Sequence, residues 1–269
     1  MSLIPLAALG ALGLSLAMAG AWAIALRPGR SGWIDATWSL AVGVAGVAMA
    51  LGGGVALRPG LVAAMVGLWS LRLASHIARR TAGSGDDPRY AALREAWGAH
   101  FAARLFGFLQ IQAAAGWLLA LCVMAAARAP APAHRLADLG WTDAAGVALL
   151  IAAVAGAGLA DAQLRRFRAD PAHAGHVCDA GLWGLSRHPN YFFEWLGWVA
   201  YAVIAMGPAG GAMPGWIAWI GPVFMYWLLV HVSGIPPLEA HMLRSRGDAF
   251  RAVQRRVRAF WPIPRFSQE

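Results

Sequence analysis

The stretch WTDAAGVALLIAAVAGAGLADAQLRRFRAD, residues 141–170, joins a long apolar run to an abruptly charged end. A helix needs about 20 predominantly apolar residues to cross the hydrocarbon core of a bilayer, and residues 141–160 meet that length. Asp161, Arg165 and Arg168 follow at i, i+4 and i+7, a spacing that places them on one face of a helix. The stretch therefore predicts a membrane-spanning helix that ends in a polar face.

The rest of the chain repeats this composition. Its 269 residues are 59% hydrophobic and 13% charged, which lies outside the balance of a soluble domain. We predict an all-α polytopic membrane protein with about seven transmembrane helices and a single domain over residues 1–269. The candidate spans are Leu3–Leu26, Trp33–Gly52, Leu61–Ala78, Leu105–Ala127, Trp141–Ala160, Phe192–Met206 and Trp216–Val232.

The basic residues predict the orientation of the chain. All 22 of them are arginine, an excess that could also indicate nucleic-acid binding. If the amino terminus lies outside, however, all but Arg58, Arg128 and Arg135 fall on the inner side, as the positive-inside rule requires. We therefore predict an integral protein of a bacterial inner membrane with a cytoplasmic carboxyl terminus. Its partner is the lipid bilayer rather than nucleic acid.

Two segments outside the spans carry patterns of their own. RRTAGSGDDPRYAALREAWGAHF, residues 79–101, opens with turn residues and continues as a short polar helix. DAFRAVQRRVRAFWPIP, residues 248–264, places Phe250, Val253, Val257 and Phe260 at helical spacing among arginines. The second pattern predicts a helix that lies in the anionic inner interface of the membrane and ends at Pro262.

Ionisable and amide side chains gather at the inner ends of five predicted helices. Charge inside a membrane is costly, so such groups usually pair with each other or line a water-filled site. An interhelical hydrogen-bond network is the alternative. The set comprises Asp35; Arg72, His76 and Arg79; Asp161, Arg165 and Arg168; Arg187, Asn190, Tyr191 and Glu194 after the helix-starting Pro189; and Glu239 with His241.

Other polar residues have simpler interpretations. Arg104, Arg166 and Arg246 stand beside spans, where arginine commonly binds phosphate headgroups. His173, His176 and Cys178 form a His-x-x-His-x-Cys pattern with no second pair of ligands. That pattern is a weak zinc signal, so no metal is predicted.

Four segments together resemble the bacterial membrane proteins grouped with the steroid 5-alpha-reductase carboxyl-terminal domain. They are SHIARR with GDDPRY (75–80 and 85–90), ADAQLRRFRADP (160–171), WGLSRHPNYFFEWLGW (183–198) and VSGIPPLEAHML (232–243). The resemblance runs from about Trp33 to Pro264. Isoprenylcysteine methyltransferases and sterol reductases share the Arg-His-Pro-x-Tyr part, so the combination is more specific than that motif alone.

The resemblance implies a seven-helix reductase that binds NADPH in a cytoplasm-facing cofactor cavity and reduces a carbon–carbon double bond conjugated to a carbonyl. Asp161, Arg165 and Arg168 would hold the adenosine and phosphate part, since the planar fork of arginine suits phosphate. Asn190 and Glu194 would bind the nicotinamide end. The remaining candidates for cofactor binding are Arg79, Arg187, His188, Tyr191, Glu239 and His241.

The reaction also needs a donor for the negative charge that develops on the substrate carbonyl oxygen. In the steroid reductases a Tyr on the third span and a Glu on the second serve this role. Here His76 stands near the position of the Tyr and Asp35 is the nearest acid. An imidazolium oriented by Asp35 could polarise the carbonyl. Tyr90 is the next candidate donor, and the departure puts steroid specificity in doubt.

Two other classes of function stay open. A methyltransferase that uses S-adenosylmethionine would share Arg187, His188 and Pro189 and a lipid-facing substrate tunnel. A lipid-binding protein without enzymatic activity would need the polar cluster only for packing. In each case the apolar spans imply a hydrophobic, membrane-dissolved lipid as substrate or ligand, and the sequence does not indicate an oligomeric state.

Overall fold

The computed structural model describes residues 2–27, 29–54, 56–83, 86–129, 139–207 and 213–264. Within these residues the elements are helices, and no strand occurs beyond an isolated backbone bridge. Six of the described helical stretches are long and apolar enough to cross a membrane. The prediction of an all-α polytopic membrane protein is therefore confirmed. The six are Leu3–Ala25, Trp33–Leu51, Leu57–Ala82, Pro88–Ala127, Trp141–Ala169 and Gly215–Arg256.

The described residues form eleven α-helices, numbered in chain order. They are α1 (Leu3–Ala25), α2 (Trp33–Leu51), α3 (Leu57–Ala82), α4 (Pro88–Trp97), α5 (Phe101–Ala127), α6 (Trp141–Ala169), α7 (Leu182–Leu185), α8 (Pro189–Met206), α9 (Met213–Ile217), α10 (Ile220–Trp227) and α11 (Ile235–Arg256). Short 3-10 turns occupy Gly98–His100 and Pro171–His173, and a π-helical turn, Leu228–Val232, follows α10.

The last two predicted spans differ in detail from the expectation. The sixth, Phe192–Met206, forms α8 and begins at Pro189 as the motif predicts, but α8 is not among the six apolar stretches. Polar residues in its first turns, from Asn190 to Glu194, dilute its hydrophobicity. The seventh, Trp216–Val232, divides into α9, α10 and the π-helical turn.

The chain divides into two compact units. Unit 1 contains residues 1–146 and 201–221, and unit 2 contains residues 147–200 and 222–269. In unit 1, α2 packs against α1, α3 and α5. Close approach of α2 and α3 requires Gly43, because a Cβ atom there would stand 2.0 Å from Oγ of Ser70. The expectation of a single domain stays a prediction.

A buried ion pair joins the first turns of α3 and α6 in unit 1. Nε and Nη2 of Arg58 each donate to a carboxylate oxygen of Asp143 at 2.8 Å, and Nη1 donates to the carbonyl of Ala129. The backbone N–H of Gly140 donates to Asp143 as well. The two residues are 2% and 1% exposed, so their charges are satisfied entirely within the protein.

In unit 2, α6 and α8 pack closely through small residues. Phe193 covers Gly156, where a Cβ atom would lie 2.3 Å from its ring. The indole N–H of Trp183 on α7 donates to the carbonyl of Ala160 at 3.0 Å. These contacts hold the residues that precede α8 against the end of α6.

The carboxyl-terminal helix differs from its prediction. It ends at Arg256 rather than at Pro262, and Gly247, at φ +49°, interrupts it with a conformation that favours glycine. The predicted membrane-facing stripe, which comprises Phe250, Val253, Val257 and Phe260, is buried within the protein. The stripe therefore serves packing, since apolar side chains at helical spacing fit a protein core as well as a membrane surface.

Candidate functional site

The structure surrounds Asp35 with polar side chains from α4 and α5 in unit 1. The hydroxyl of Tyr90 donates to Oδ1 of Asp35 at 3.1 Å, and Arg89 forms an ion pair with Oδ2. Nε2 of Gln112 donates to the Tyr90 oxygen at 3.3 Å. Tyr90 is only 3% exposed. Tyr90, the alternative donor predicted from the sequence, thus forms a phenol–carboxylate pair with Asp35, the predicted acid.

The start of α4 positions Tyr90. Asp87 caps the helix by accepting from the backbone N–H of Arg89, and Pro88 occupies the first helical position, where its missing N–H costs nothing. Partial burial acts to raise the pKa of Asp87, but the hydrogen bonds and charge of Arg89 outweigh it and hold that pKa below its ordinary value. The short polar helix predicted in this loop is confirmed.

A second aspartate fastens the same loop to the residues before α2. Asp86 accepts hydrogen bonds from the backbone N–H groups of Gly29 and Ser31 and from the Ser31 hydroxyl at 2.6 Å. Against the opposing effect of burial, these bonds hold the pKa of Asp86 below its ordinary value. Consecutive aspartates therefore determine where α4 begins and where its first turn lies.

His76 and Arg79 lie on the second half of α3, where His76 is half-buried and Arg79 exposed. Asp35 accepts from Tyr90 and Arg89, and its pairing with His76 stays a prediction. Arg79 likewise stays a predicted cofactor residue.

A charged network in unit 2 links the Arg-His-Pro motif to α11. Nε and Nη2 of Arg187 donate to the two carboxylate oxygens of Glu239 at 2.7 and 3.1 Å. Nη1 donates to the carbonyls of Val257 and Gln254 at the end of α11. Nε2 of Gln254 donates to Glu239 at 2.8 Å. Most N–H groups of Arg187 therefore donate to acceptors within the protein, and these bonds position α11.

His188 completes this network from the residue before Pro189. Its Nε2 lies 2.9 Å from Oε1 of Glu239, and the ring of Tyr191 stacks on the imidazole at 5.5 Å. Nδ1 is buried without a hydrogen-bond partner among the described residues. Such an atom typically costs about 1–3 kcal/mol, and it calls for an explanation in a native structure. Burial lowers the pKa of His188, although Glu239 acts in the opposite direction.

The same motif fastens the segment that follows α11. The hydroxyl of Ser186 donates to the carbonyls of Ala259 and Phe260, and the backbone N–H of Arg187 donates to the carbonyl of Arg258 at 2.8 Å. Phe260 also packs edge-on against Trp195 of α8, with ring centroids 5.9 Å apart. The residues after Arg256 are therefore held in place by the start of α8.

The predicted nucleotide residues on α6 and α8 all lie in unit 2. Asp161 is buried, whereas Arg165 and Arg168 are exposed near the end of α6. Oδ1 of Asn190 accepts from the backbone N–H of Tyr191 at 3.1 Å, which leaves its NH₂ group to other partners. Glu194 is half-buried one turn further along α8, and His241 on α11 is exposed.

Several polar residues of these networks were not predicted from the sequence. Gln112 donates to Tyr90, Gln254 donates to Glu239, and the Ser186 hydroxyl accepts from the backbone N–H of His188. Arg58 and Asp143 form the buried pair of unit 1. Amides and hydroxyls are common in helices, so the sequence carries no signal for the first three. An acid in the first turn of a span, such as Asp143, is the one feature that could have been singled out.

Two mainly apolar grooves of unit 1 lie apart from these networks. One of about 370 Å³ is lined by α2 and α3, and one of about 180 Å³ by α1 and α5. Neither groove is lined by a predicted site residue. Within the described residues, no group of three or more His, Cys, Asp and Glu side chains could hold a metal ion.

Comparison with known proteins assigns a family to the chain. The model of the family described as "Protein of unknown function (DUF1295)" matches residues 21–257, and the chain belongs to this family. No curated protein and no solved structure matches the chain at a significant level.

Proposed function

We propose that this membrane protein uses NADPH to reduce a carbon–carbon double bond conjugated to a carbonyl in a membrane-dissolved lipid, as steroid 5-alpha-reductase-like proteins do. The observation that carries the proposal is the hydrogen bond from the buried Tyr90 to the partly exposed Asp35. A phenol next to a carboxylate is the donor chemistry that the resemblance requires, although the sequence pattern had suggested a histidine instead. A methyltransferase would have no need of a donor for a carbonyl oxygen.

The chain's residues fit the two ends of the nucleotide. Arg165 and Arg168 are exposed near the end of α6 and can bind phosphate with their planar forks. The side-chain oxygen of Asn190 accepts from the backbone, so its NH₂ group can donate to a ligand. Glu194 follows one helical turn later. Together they offer an amide donor and a carboxylate acceptor to the carboxamide of the nicotinamide. NADPH, when bound, supplies the hydride.

Tyr90 would stabilise the charge that develops on the substrate. Reduction adds a hydride to the β carbon and a proton to the α carbon, and in between the carbonyl oxygen carries negative charge. The phenol oxygen already accepts from Gln112, which makes its own hydrogen a better donor. Rotation of the Tyr90 hydroxyl would turn its hydrogen from Asp35 to the substrate carbonyl. Asp35 would then remain paired with Arg89.

Nucleotide binding tests the cofactor assignment. Arg168→Ala should weaken NADP⁺ binding by about 10- to 100-fold, the usual scale for a hydrogen bond to a charged group. Arg166→Ala is the matched control, because Arg166 is also exposed on the same turn and is predicted to bind lipid headgroups. Equal affinities for the two variants would contradict the assignment. Co-purification of S-adenosylmethionine would favour the methyltransferase, and absence of any nucleotide a non-enzymatic protein.

Single-turnover reduction of a lipid enone tests the donor. Tyr90→Phe should slow hydride transfer by about 100-fold or more while NADP⁺ affinity stays close to the wild-type value. His76→Phe, measured beside it, tests the alternative donor. Loss of rate only in His76→Phe would return the donor role to His76, and full rates in both variants would contradict the proposed reaction.

A further inference from the structure

The unpartnered nitrogen of His188 has a defined chemical state. A carboxylate can only accept hydrogen bonds, so the 2.9 Å contact with Glu239 places a hydrogen on Nε2. If the ring is neutral, Nδ1 then carries a lone pair. Two features favour the neutral ring: the imidazole is 3% exposed, and the Arg187 guanidinium binds the same carboxylate. Nδ1 is therefore a buried hydrogen-bond acceptor.

No neighbouring group in the described structure uses this acceptor. The ring cannot turn to offer Nδ1 elsewhere without breaking the bond to Glu239. Glu239 is itself held by Arg187 and Gln254, so the orientation of the ring depends on three side chains from two parts of the chain. A buried polar group that is held this firmly and left unpaired is suited to a ligand.

We propose that Nδ1 of His188 accepts a hydrogen bond from an N–H or O–H group of the bound nucleotide, and that Glu239 is the positioning residue that fixes this tautomer. The inference rests on the proposed function and narrows it. Phosphate oxygens are acceptors and do not fit Nδ1. The groups of NADPH that qualify are the carboxamide, the adenine amine and the ribose hydroxyls.

Two isosteric substitutions separate the two nitrogens of the ring. In His188→Gln the side-chain amide reaches the place of Nε2, so its NH₂ can keep the bond to Glu239 while the acceptor at Nδ1 is lost. In His188→Asn the amide stands at the place of Nδ1, so its oxygen keeps the acceptor while the bond to Glu239 is lost. NADP⁺ affinity and the thermal midpoint of the nucleotide-free protein are measured for both.

The proposal gives the two variants opposite signatures. His188→Gln should bind NADP⁺ about 10- to 100-fold more weakly, the scale expected when a buried acceptor loses its partner, with a midpoint close to that of the wild type. His188→Asn should lose several degrees in midpoint and keep most of its affinity. Wild-type affinity in His188→Gln, or a larger loss of affinity in His188→Asn, would overturn the proposal.

Nitrogen NMR of the histidine-labelled wild-type protein in detergent reads the protonation of the two ring nitrogens directly. The nucleotide-free protein should show a protonated Nε2 and an unprotonated Nδ1 at His188, assigned by their absence in His188→Gln, and NADP⁺ should shift the Nδ1 signal. A protonated Nδ1 in the free protein would overturn the inference whatever the nucleotide. Absence of NADP⁺ binding to the wild type would instead overturn the proposed function, and S-adenosylhomocysteine then replaces it as probe. Binding of neither would overturn both.

Discussion

Two arginines, one in each unit, bind their acidic partners with the same fork. Arg58 and Arg187 each use Nε and Nη2 on a carboxylate and Nη1 on a backbone carbonyl. Their surroundings differ. Asp143 receives its remaining hydrogen bond from the backbone of Gly140, whereas Glu239 receives its others from the side chains of Gln254 and His188.

That difference separates two uses of an arginine–carboxylate pair. A pair closed by backbone groups ties chain segments together, and every polar atom in its fork is satisfied. A pair closed by side chains also orients those side chains, and His188 retains an unpaired nitrogen there. We infer that the Arg58 pair stabilises the fold of unit 1, whereas the Arg187 pair stabilises unit 2 and prepares a ligand contact.

The largest effect is expected from breaking the pair of unit 1. Arg58→Ala leaves the Asp143 carboxylate buried without its cation, which typically costs about 3–5 kcal/mol. Thermal unfolding in detergent measures the loss, with the exposed Arg104→Ala on α5 as control. The double variant Arg58→Met with Asp143→Leu should recover most of the stability, because an apolar pair needs no partner. A midpoint for Arg58→Ala equal to that of the control would show that the pair does not hold the fold.

Arg187→Ala should cost less, about 1.5–3 kcal/mol, because Glu239 is partly exposed and keeps two other donors. Its distinctive effect is local. Loss of the bonds to the carbonyls near the end of α11 should expose the bonds after Arg256 and Arg258 to trypsin. Arg251→Ala, which breaks an exposed pair with Asp248, is the control. Unchanged cleavage rates in Arg187→Ala would mean that the carboxyl-terminal segment is held by other contacts.

The acid sensitivity of unit 2 should depend on His188. Burial holds its pKa below the ordinary value of 6.5, so the unfolded chain binds more protons as pH falls through that value. The free energy of unfolding should therefore fall as pH is lowered from about 7.5 to 5.5. The loss is at most about 1.4 kcal/mol for every tenfold difference in the proton affinity of His188 between the folded and unfolded chain. His188→Gln should lose less stability over the same range. Equal losses would indicate that His188 titrates normally in the folded protein.

The smallest effect on stability is expected at the start of α4. There the carboxylate of Asp87 is half-buried, and only the first helical turn depends on it. Asp87→Ala removes the cap and should cost about 1 kcal/mol of unfolding free energy. Asp170→Ala makes a matched comparison, because Asp170 also precedes a proline and caps a turn, yet it is exposed and its 3-10 turn is three residues long. If the two variants lose equal stability, the cap of α4 contributes nothing beyond its local turn.

Local features of this protein could be predicted from its sequence. Hydrophobicity over about 20 residues determines which segments enter a bilayer, so the class of the protein and most helix positions follow from composition along the chain. Helix starts are equally local. The Asp-Pro pair at Asp87 and the proline at Pro189 place the first turns of α4 and α8 where the sequence predicts them.

The partners of the polar side chains were decided by the tertiary structure alone. Arg187 and Glu239 are 52 residues apart, Tyr90 and Asp35 are 55 apart, and Arg58 and Asp143 are 85 apart. Each pair depends on how two helices or their ends are rotated and packed, and helical periodicity fixes the faces of one helix but not the neighbour that a face meets. For the same reason the sequence predicted that the stripe at Phe250 and Val253 faces the membrane, whereas the structure buries it in the protein core.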